Sequence, residues 1–266
     1  SDQLMQHIEA GTIQPMTKYA KEFIAENPAY IHTAEKLTQA DGEIYSLPWE
    51  SRVTVNWYRT DIYDKAPETW DDLLATAEKS TDLAMGFAVG LSDGSNGTAL
   101  METFTPWLRS AGGDLFDKDG KAIFNSEAGV KVVNFIKQLV EAGTMDKSVL
   151  NMAYDDVVDA FKSGTVYAMD AGTQRASTIK SSDLASNFAS APIAGVDGAA
   201  PAFVAGQTLA IGSQAKDPDM AWDFIRYFYS IENQKKWMSA KCMTVRTDVF
   251  DDPEIQAMDD YEEMKM

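Results

Sequence analysis

From Met16 onward the chain alternates amphipathic helical runs with short apolar extended segments, and glycine or proline closes most of them. That alternation sets the fold class as α/β, with sheets covered by helices. Residues 2–10 read as a short helix with Leu4, Met5 and Ile8 on one stripe, stopped by Gly11 and turned by Pro15. A second helix over 16–26 ends at Asn27-Pro28. In DGEIYSLPWESRVTVNWYRTDIY, Asp41-Gly42 makes a tight turn and the branched and aromatic residues favour strands. Pro48 breaks the ladder between them, which is where a hinge would sit.

Thr69 and Asp72 form a helix start of capping-box type, with Asp in place of Glu. MGFAVGL reads as a short buried strand, and a helix through Phe104, Trp107 and Leu108 stops at Gly112-Gly113. DKDGK turns a hairpin before AIF. Ser126 caps a helix whose Val132, Val133, Ile136, Leu139 and Val140 share one face, and residues 154–163 repeat the pattern up to Gly164. TVYAMD is a strand leading into Ala171-Gly172-Thr173-Gln174-Arg175. From residue 203, FVAGQTLAI reads as one strand, followed by Asp217 as N-cap, Pro218 as first helical residue, and a helix burying Trp222, Ile225 and Phe228.

At about 150 residues per domain, 266 residues make two modest lobes or one large domain. An apolar share of 45% with 24% charged residues excludes disorder, collagen and coiled coil. Lys and Arg number 23 against 41 Asp and Glu, and a net charge of −18 repels phosphate backbones and anionic lipid, so nucleic acid is not an expected partner. One cysteine, Cys242, and two histidines, His7 and His32, are too few for a zinc site of the Cys/His type. Cys242 reads as a packed small hydrophobe. No apolar run approaches the roughly 20 residues of a membrane span.

The abundant carboxylates raise the possibility of a glycosidase, which needs only a suitably spaced pair. Most of them, including Asp71, Asp72, Asp155, Asp156 and Asp159, fall instead at helix starts or on polar faces. Asp117-Lys118-Asp119-Gly120 opens like a calcium loop, but Ala122 and Ala128 stand where that loop needs Gly and Glu, so the segment reads as a turn. The polar stretch Asp93-Gly94-Ser95-Asn96-Gly97-Thr98 is neither a P-loop nor a dinucleotide fingerprint. It follows a strand, and the carboxyl ends of strands are where α/β sheets hold ligands. Neither a Gly-x-Ser-x-Gly elbow nor a His-Glu-x-x-His pair occurs. Trp49 reads either as a core tryptophan or as an aromatic platform flanked by Glu50, Ser51 and Arg52, able to stack on a sugar while its neighbours bind hydroxyls. Arg175 carries the same two readings.

Several segments, in order, resemble one family. IYSLPWESRVTVNWYRTDIYDKAPETWDDLLATAEK, WLRSAGGDLFDKDGKAIFNSEAGVKVVNFIKQLVEAG, YDDVVDAFKSGTVYAM, AIGSQAKDPDMAWDFIRYFYSIENQKKW and TVRTDVFDDPE are similar to the extracytoplasmic solute-binding proteins of ABC importers, in the sugar-binding group of maltose-binding type. The resemblance implies a two-lobe periplasmic-binding-protein-like α/β fold of type II, with hinge-crossing strands, an incomplete first lobe and a chain truncated at both ends. Residues 1–51 and 203–244 would form the first lobe, and 52–202 with 245–266 the second. It further implies a carbohydrate or polyol held in an interlobe cleft, closure on binding, and delivery to the transmembrane subunits of an ABC permease. A monomer outside the cytoplasm, periplasmic or extracellular, with or without a lipid anchor, and with no cofactor, metal or catalytic residue, completes the expectation.

Carried over position by position, the solute-binding residues are Asp2, Trp49, Glu50, Ser51, Arg52, Asn96, Thr98, Gly172, Thr173, Gln174, Arg175, Gly206, Gln207 and Arg246. Gln174 lies in the turn where the family places a stacking tryptophan, a departure that suggests a smaller or more polar solute. Two arginines in such turns also suit an anion, such as a sugar phosphate, a glycerol-phosphate diester or a sulfonated sugar. A carbohydrate-active hydrolase is the alternative from another class.

Overall fold

The computed structural model describes residues 3–30, 39–40, 42–92, 97–184, 186–239, 243–258 and 261, the side chains of Gln39 and Thr98 apart. The chain divides into two compact units, residues 1–52 with 204–266, and residues 53–203.

Unit 1 is built on an antiparallel sheet in which Thr208–Gly212 lies between Ile13–Gln14 and Ser46–Pro48, with Leu47 opposite Leu209 and Ile13 opposite Gly212. Helix Thr17–Glu26 supplies Ala20 and Phe23 to the core, and helix Pro218–Phe228 supplies Trp222 and Ile225. Phe23 sits at the centre, with its ring 5.5 Å from Tyr30, 5.9 Å from Trp222 and 5.0 Å from Tyr229. The two tyrosines bury their rings only because each hydroxyl finds an acceptor: Tyr229 donates to the Leu47 carbonyl at 2.6 Å and Tyr30 to that of Pro48 at 3.1 Å. Asp217 caps the later helix through Met220 N–H, with Pro218 following, as the sequence implies. Phe228, expected inside that helix's buried face, is half-buried.

Two expectations change here. FVAGQTLAI is not one strand but Val204–Ala205 and Thr208–Gly212, interrupted at Gly206-Gln207. Gly206 runs so close to the Glu50 carbonyl oxygen that a Cβ would lie 2.4 Å from it. Residues 245–258 and 261 belong to unit 1, not to the second lobe. Val245 is part of the core around Phe23, Arg246 bridges to Tyr30, and Val249 and Ile255 pack with Met238 and Met243.

Unit 2 carries a sheet in which strand Arg52–Arg59 lies between Ala168–Gly172 and Phe188–Ala191, both antiparallel to it. MGFAVGL, expected as a strand, joins only through isolated parallel bridges, Met85 to Val166 and Ala88 to Met169, although Phe87, Ala88 and Val89 are fully buried. Helix Glu127–Glu141 buries Val132, Phe135 and Leu139, the i, i+3, i+7 spacing of one face. Val133, one residue or about 100° round from Val132, is exposed rather than buried.

The capping box at Thr69 is complete. Thr69 Oγ1 accepts from Asp72 N–H at 3.1 Å, and Asp72 Oδ2 accepts from Thr69 N–H at 3.0 Å. Thr69→Ala is expected to lower stability by about 1 kcal/mol, read as a shift of the urea midpoint, with Thr69→Ser close to the parent. An unchanged midpoint in the alanine variant would show that the box contributes nothing.

Candidate functional site

In unit 1, Trp49, Glu50, Ser51 and Arg52 follow strand Ser46–Pro48 and are fixed through their backbone. Trp49 N–H donates to the Gln207 carbonyl at 3.1 Å and Ser51 N–H to that of Met243 at 3.0 Å. The Trp49 carbonyl accepts from Gln234 Nε2 at 2.9 Å. Gly206 and Gln207 therefore contribute backbone to the same place, Gly206 by its approach to Glu50. The Trp49 ring is half-buried in an aromatic cluster, 4.5 Å from Trp237 and 5.9 Å from Phe228. This environment is intermediate between the core residue and the open platform that its sequence context suggests. Glu50 is buried and pairs with Arg52, Nε to Oε1 at 3.2 Å.

Arg246 stands apart from this group. Its guanidinium donates to both Asp248 oxygens, to Asn27 Oδ1 at 2.9 Å and to the Tyr229 carbonyl at 3.2 Å. With its donors spread over three partners it acts as a staple joining residues 27, 229 and 248. The same guanidinium holds the Asp248 carboxyl below the ordinary carboxylate range.

In unit 2, strand Ala168–Gly172 delivers the chain to the 3-10 turn Thr173–Arg175. Tyr154, the first residue of helix Tyr154–Lys162, organises that turn. Its hydroxyl accepts from Gly172 N–H at 2.5 Å and from Gln174 Nε2 at 3.3 Å, and its ring lies 4.7 Å from the Arg175 guanidinium carbon. Arg175 also pairs with Asp155, the next residue on the helix. Burial, and then the negative charge of Glu102, raise the Tyr154 pKa above its ordinary value, so the phenol keeps its proton at neutral pH. Glu102 projects from helix Thr98–Ser110, is buried, and accepts from Thr54 Oγ1 at 3.3 Å. Thr173 Oγ1 accepts from Val53 N–H at 3.4 Å.

Gly172, Thr173, Gln174 and Arg175 are thus gathered around Tyr154, with Glu102 and Thr54 nearby. Neither Tyr154 nor Glu102 was singled out from sequence. Glu102 had one signal, as the lone charge in TALMETFTPW; Tyr154 had none, because it reads as an ordinary helix start. Asp2, Asn96, His32 and Cys242 lie outside the described residues, and Thr98 is described only as the backbone start of its helix. Among the described residues no three His, Cys, Asp or Glu side chains cluster in a way that could hold a metal ion, and no helix is long and apolar enough to cross a membrane.

The chain superimposes on maltose-bound MalE3 of T. maritima with a TM-score of 0.83 at 23% identity, covering 96% of this chain and 68% of that one. A solute-binding protein of Agrobacterium radiobacter in complex with ribitol gives 0.81 at 21% identity, again over 96% and 68%. These likenesses fix the fold as the type II periplasmic-binding-protein fold. By sequence the chain is 26% identical over 231 residues to a Deinococcus radiodurans protein named "Probable ABC transporter-binding protein", covering 80% of this chain and 53% of the relative. It spans little more than half the length of the curated relatives it matches. Residues 1–264 match the profile of the bacterial extracellular solute-binding proteins, and the chain belongs to that family.

Proposed function

We propose that this chain captures a neutral carbohydrate or polyol for an ABC importer and hands it to the transmembrane permease, binding without chemical turnover. Family membership supports solute capture. The observation that carries the choice of a neutral solute is the state of the two arginines: Arg52 faces Glu50, and Arg175 faces Asp155 and the Tyr154 ring. A guanidinium matched to a carboxylate adds little net attraction for an anion, whereas Tyr154, Gln174, Thr173 and Glu102 offer the mixed donors and acceptors that hydroxyl groups need. Two solved relatives were captured with maltose and with ribitol, both uncharged polyhydroxy compounds. We assign solute contacts to two sets of residues, each read within its own unit: Tyr154, Gly172, Thr173, Gln174, Arg175 and Glu102 in unit 2, and Trp49, Glu50, Ser51, Arg52, Gly206 and Gln207 in unit 1.

The test is a thermal-shift and calorimetric screen of the 266-residue chain against maltose, ribitol, other neutral sugars and sugar phosphates. A solute at 100 times its Kd stabilises by about 2.7 kcal/mol, which moves the midpoint by several degrees. Neutral polyols are expected to give that shift, and Tyr154→Phe, which removes the acceptor holding Gly172 and Gln174, to weaken binding about tenfold or more, the equivalent of one charge-assisted or buried hydrogen bond. A shift confined to sugar phosphates would reverse the choice of solute. Cleavage of an oligosaccharide during the incubation would make the chain a hydrolase.

A further inference from the structure

Asn56 and Asp170 are directly opposed on neighbouring strands of unit 2, and both are buried. Asn56 Nδ2 donates to Asp170 Oδ1 at 2.9 Å. That bond uses one polar atom of each side chain. The other two, Asn56 Oδ1 and Asp170 Oδ2, are buried without a hydrogen-bond partner among the described residues. Written as carboxylate and carboxamide, the pair leaves two acceptors facing a shortage of donors, an arrangement that buried polar groups rarely tolerate. One proton resolves both vacancies: on Asp170 Oδ2 it makes a donor, and Asn56 Oδ1 is the acceptor on the group already paired with it.

We propose that Asp170 is a proton-binding site, held as a neutral carboxylic acid that donates to Asn56 Oδ1, and that losing this proton loosens the strand pairing that carries the Gly172–Arg175 turn. Asp170 lies two residues before Gly172, and the Asn56–Asp170 rung is next on the same sheet face to the Thr54–Gly172 rung. A charge exposed to a low dielectric at the first rung is therefore felt at the base of the turn.

The surroundings offer no substitute for the proton. On the same strand as Asn56, Tyr58 lies one same-face position away. Helix Thr98–Ser110 brings Glu102, which reaches Thr54, and helix Tyr154–Lys162 brings Tyr154, which reaches Gly172. Arg109, Asp155, Asp156, Asp159 and Lys162 are the other charged residues of those two helices, and strand Phe188–Ala191 and segment 85–89 carry none. Among the described residues no cation shifts Asp170: burial raises its pKa from 3.8 to about 7, and the Asn56 hydrogen bond pulls the other way. Because the folded value lies above the ordinary one, the proton's stabilisation is complete below about 3.8 and is lost as pH rises through about 7. Asp61, Asp72 and Asp248 are shifted downward, so their contributions change below that window and do not mask it.

The experiment follows the Asp170 carboxyl carbon by NMR through a pH titration of the full chain, with amide exchange at Gly172 measured alongside in the parent and in Asp170→Asn. The carboxyl is expected to titrate near 7, and protection of the Gly172 amide, corrected for intrinsic exchange, to fall by up to about tenfold per pH unit as pH rises from about 3.8 to about 7, and to level off above that midpoint. In Asp170→Asn, whose amide can donate at every pH, protection is expected to stay level. Titration near the ordinary 3.8 would overturn the proposal, as would an identical pH response in the variant. Should the variant fail to fold, the titration of the parent alone decides. That the turn contacts solute is the reading given above, and neither readout requires solute, so the proton site can fail while that reading stands, and the reverse.

Discussion

Replacing Gln234 with leucine is expected to lower the stability of unit 1 by about 4 kcal/mol, at the upper end of single-site effects. Gln234 is fully buried and uses its whole hydrogen-bonding capacity. Nε2 donates to the carbonyls of Trp49 at 2.9 Å and Phe228 at 3.0 Å, while Oε1 accepts from Thr244 Oγ1 at 2.6 Å and Val245 N–H at 3.0 Å. Leucine fits the volume but takes a partner from four groups, the buried Thr244 O–H and Val245 N–H and the part-buried carbonyls of Trp49 and Phe228, each loss costing up to about 1–3 kcal/mol before relaxation and entering water reduce the sum. Chemical denaturation followed by tryptophan fluorescence measures the loss. Gln234→Glu sharpens the test, because an ionised carboxylate faces two carbonyls and a protonated one can still donate to one of them. The glutamate variant should therefore recover part of its stability as pH is lowered, and the leucine variant should not. A loss under about 1 kcal/mol in the leucine variant would mean that these four groups find other partners.

The position of Gln234 also shows where sequence stops being informative. Local features were readable because their causes are local: Thr69 and Asp72 are three residues apart, Asp217 adjoins Pro218, and Ser126 caps through the N–H of Gly129. The α/β class was readable as well, since alternating periodicities express which faces must be buried. The failures share another cause. Val204–Ala205 and Thr208–Gly212 look continuous until Glu50, some 150 residues earlier in the chain, takes the space beside Gly206. The charge of Arg246 is visible in sequence, while its engagement by Asn27 and the Tyr229 carbonyl is not. At the turn, Gly172–Arg175 stood out by composition, yet the residue that shapes it is Tyr154, and the buried carboxylate nearby, Glu102, is tied to Thr54 across a separation of 48 residues. Asn56 and Asp170, 114 residues apart, read separately as ordinary strand positions, and only their register makes them a pair.

The corresponding test in unit 2 is Trp107, where size and polarity act in opposite directions. Trp107 is fully buried, with its ring 5.2 Å from Phe135, 6.2 Å from Trp70 and 6.3 Å from Phe87, and Trp70 stacks on Phe135 at 4.1 Å. Helices Trp70–Ala75, Thr98–Ser110 and Glu127–Glu141 each contribute one of the three rings Trp70, Trp107 and Phe135, so this cluster is what holds them in register. Trp107→Ala is expected to cost about 3–5 kcal/mol, from lost apolar burial and from a cavity that three fixed helices cannot close. The indole N–H, however, has no hydrogen-bond partner among the described residues, and a buried unpaired donor is itself destabilising. Phenylalanine removes that donor and keeps most of the ring, so Trp107→Phe should cost less than about 1.5 kcal/mol, within the range of hydrophobic swaps that largely preserve volume. Denaturation midpoints of the two variants separate the contributions. If the phenylalanine variant loses as much as the alanine variant, the indole N–H has a partner in solution, and the cluster is held by a hydrogen bond as well as by packing.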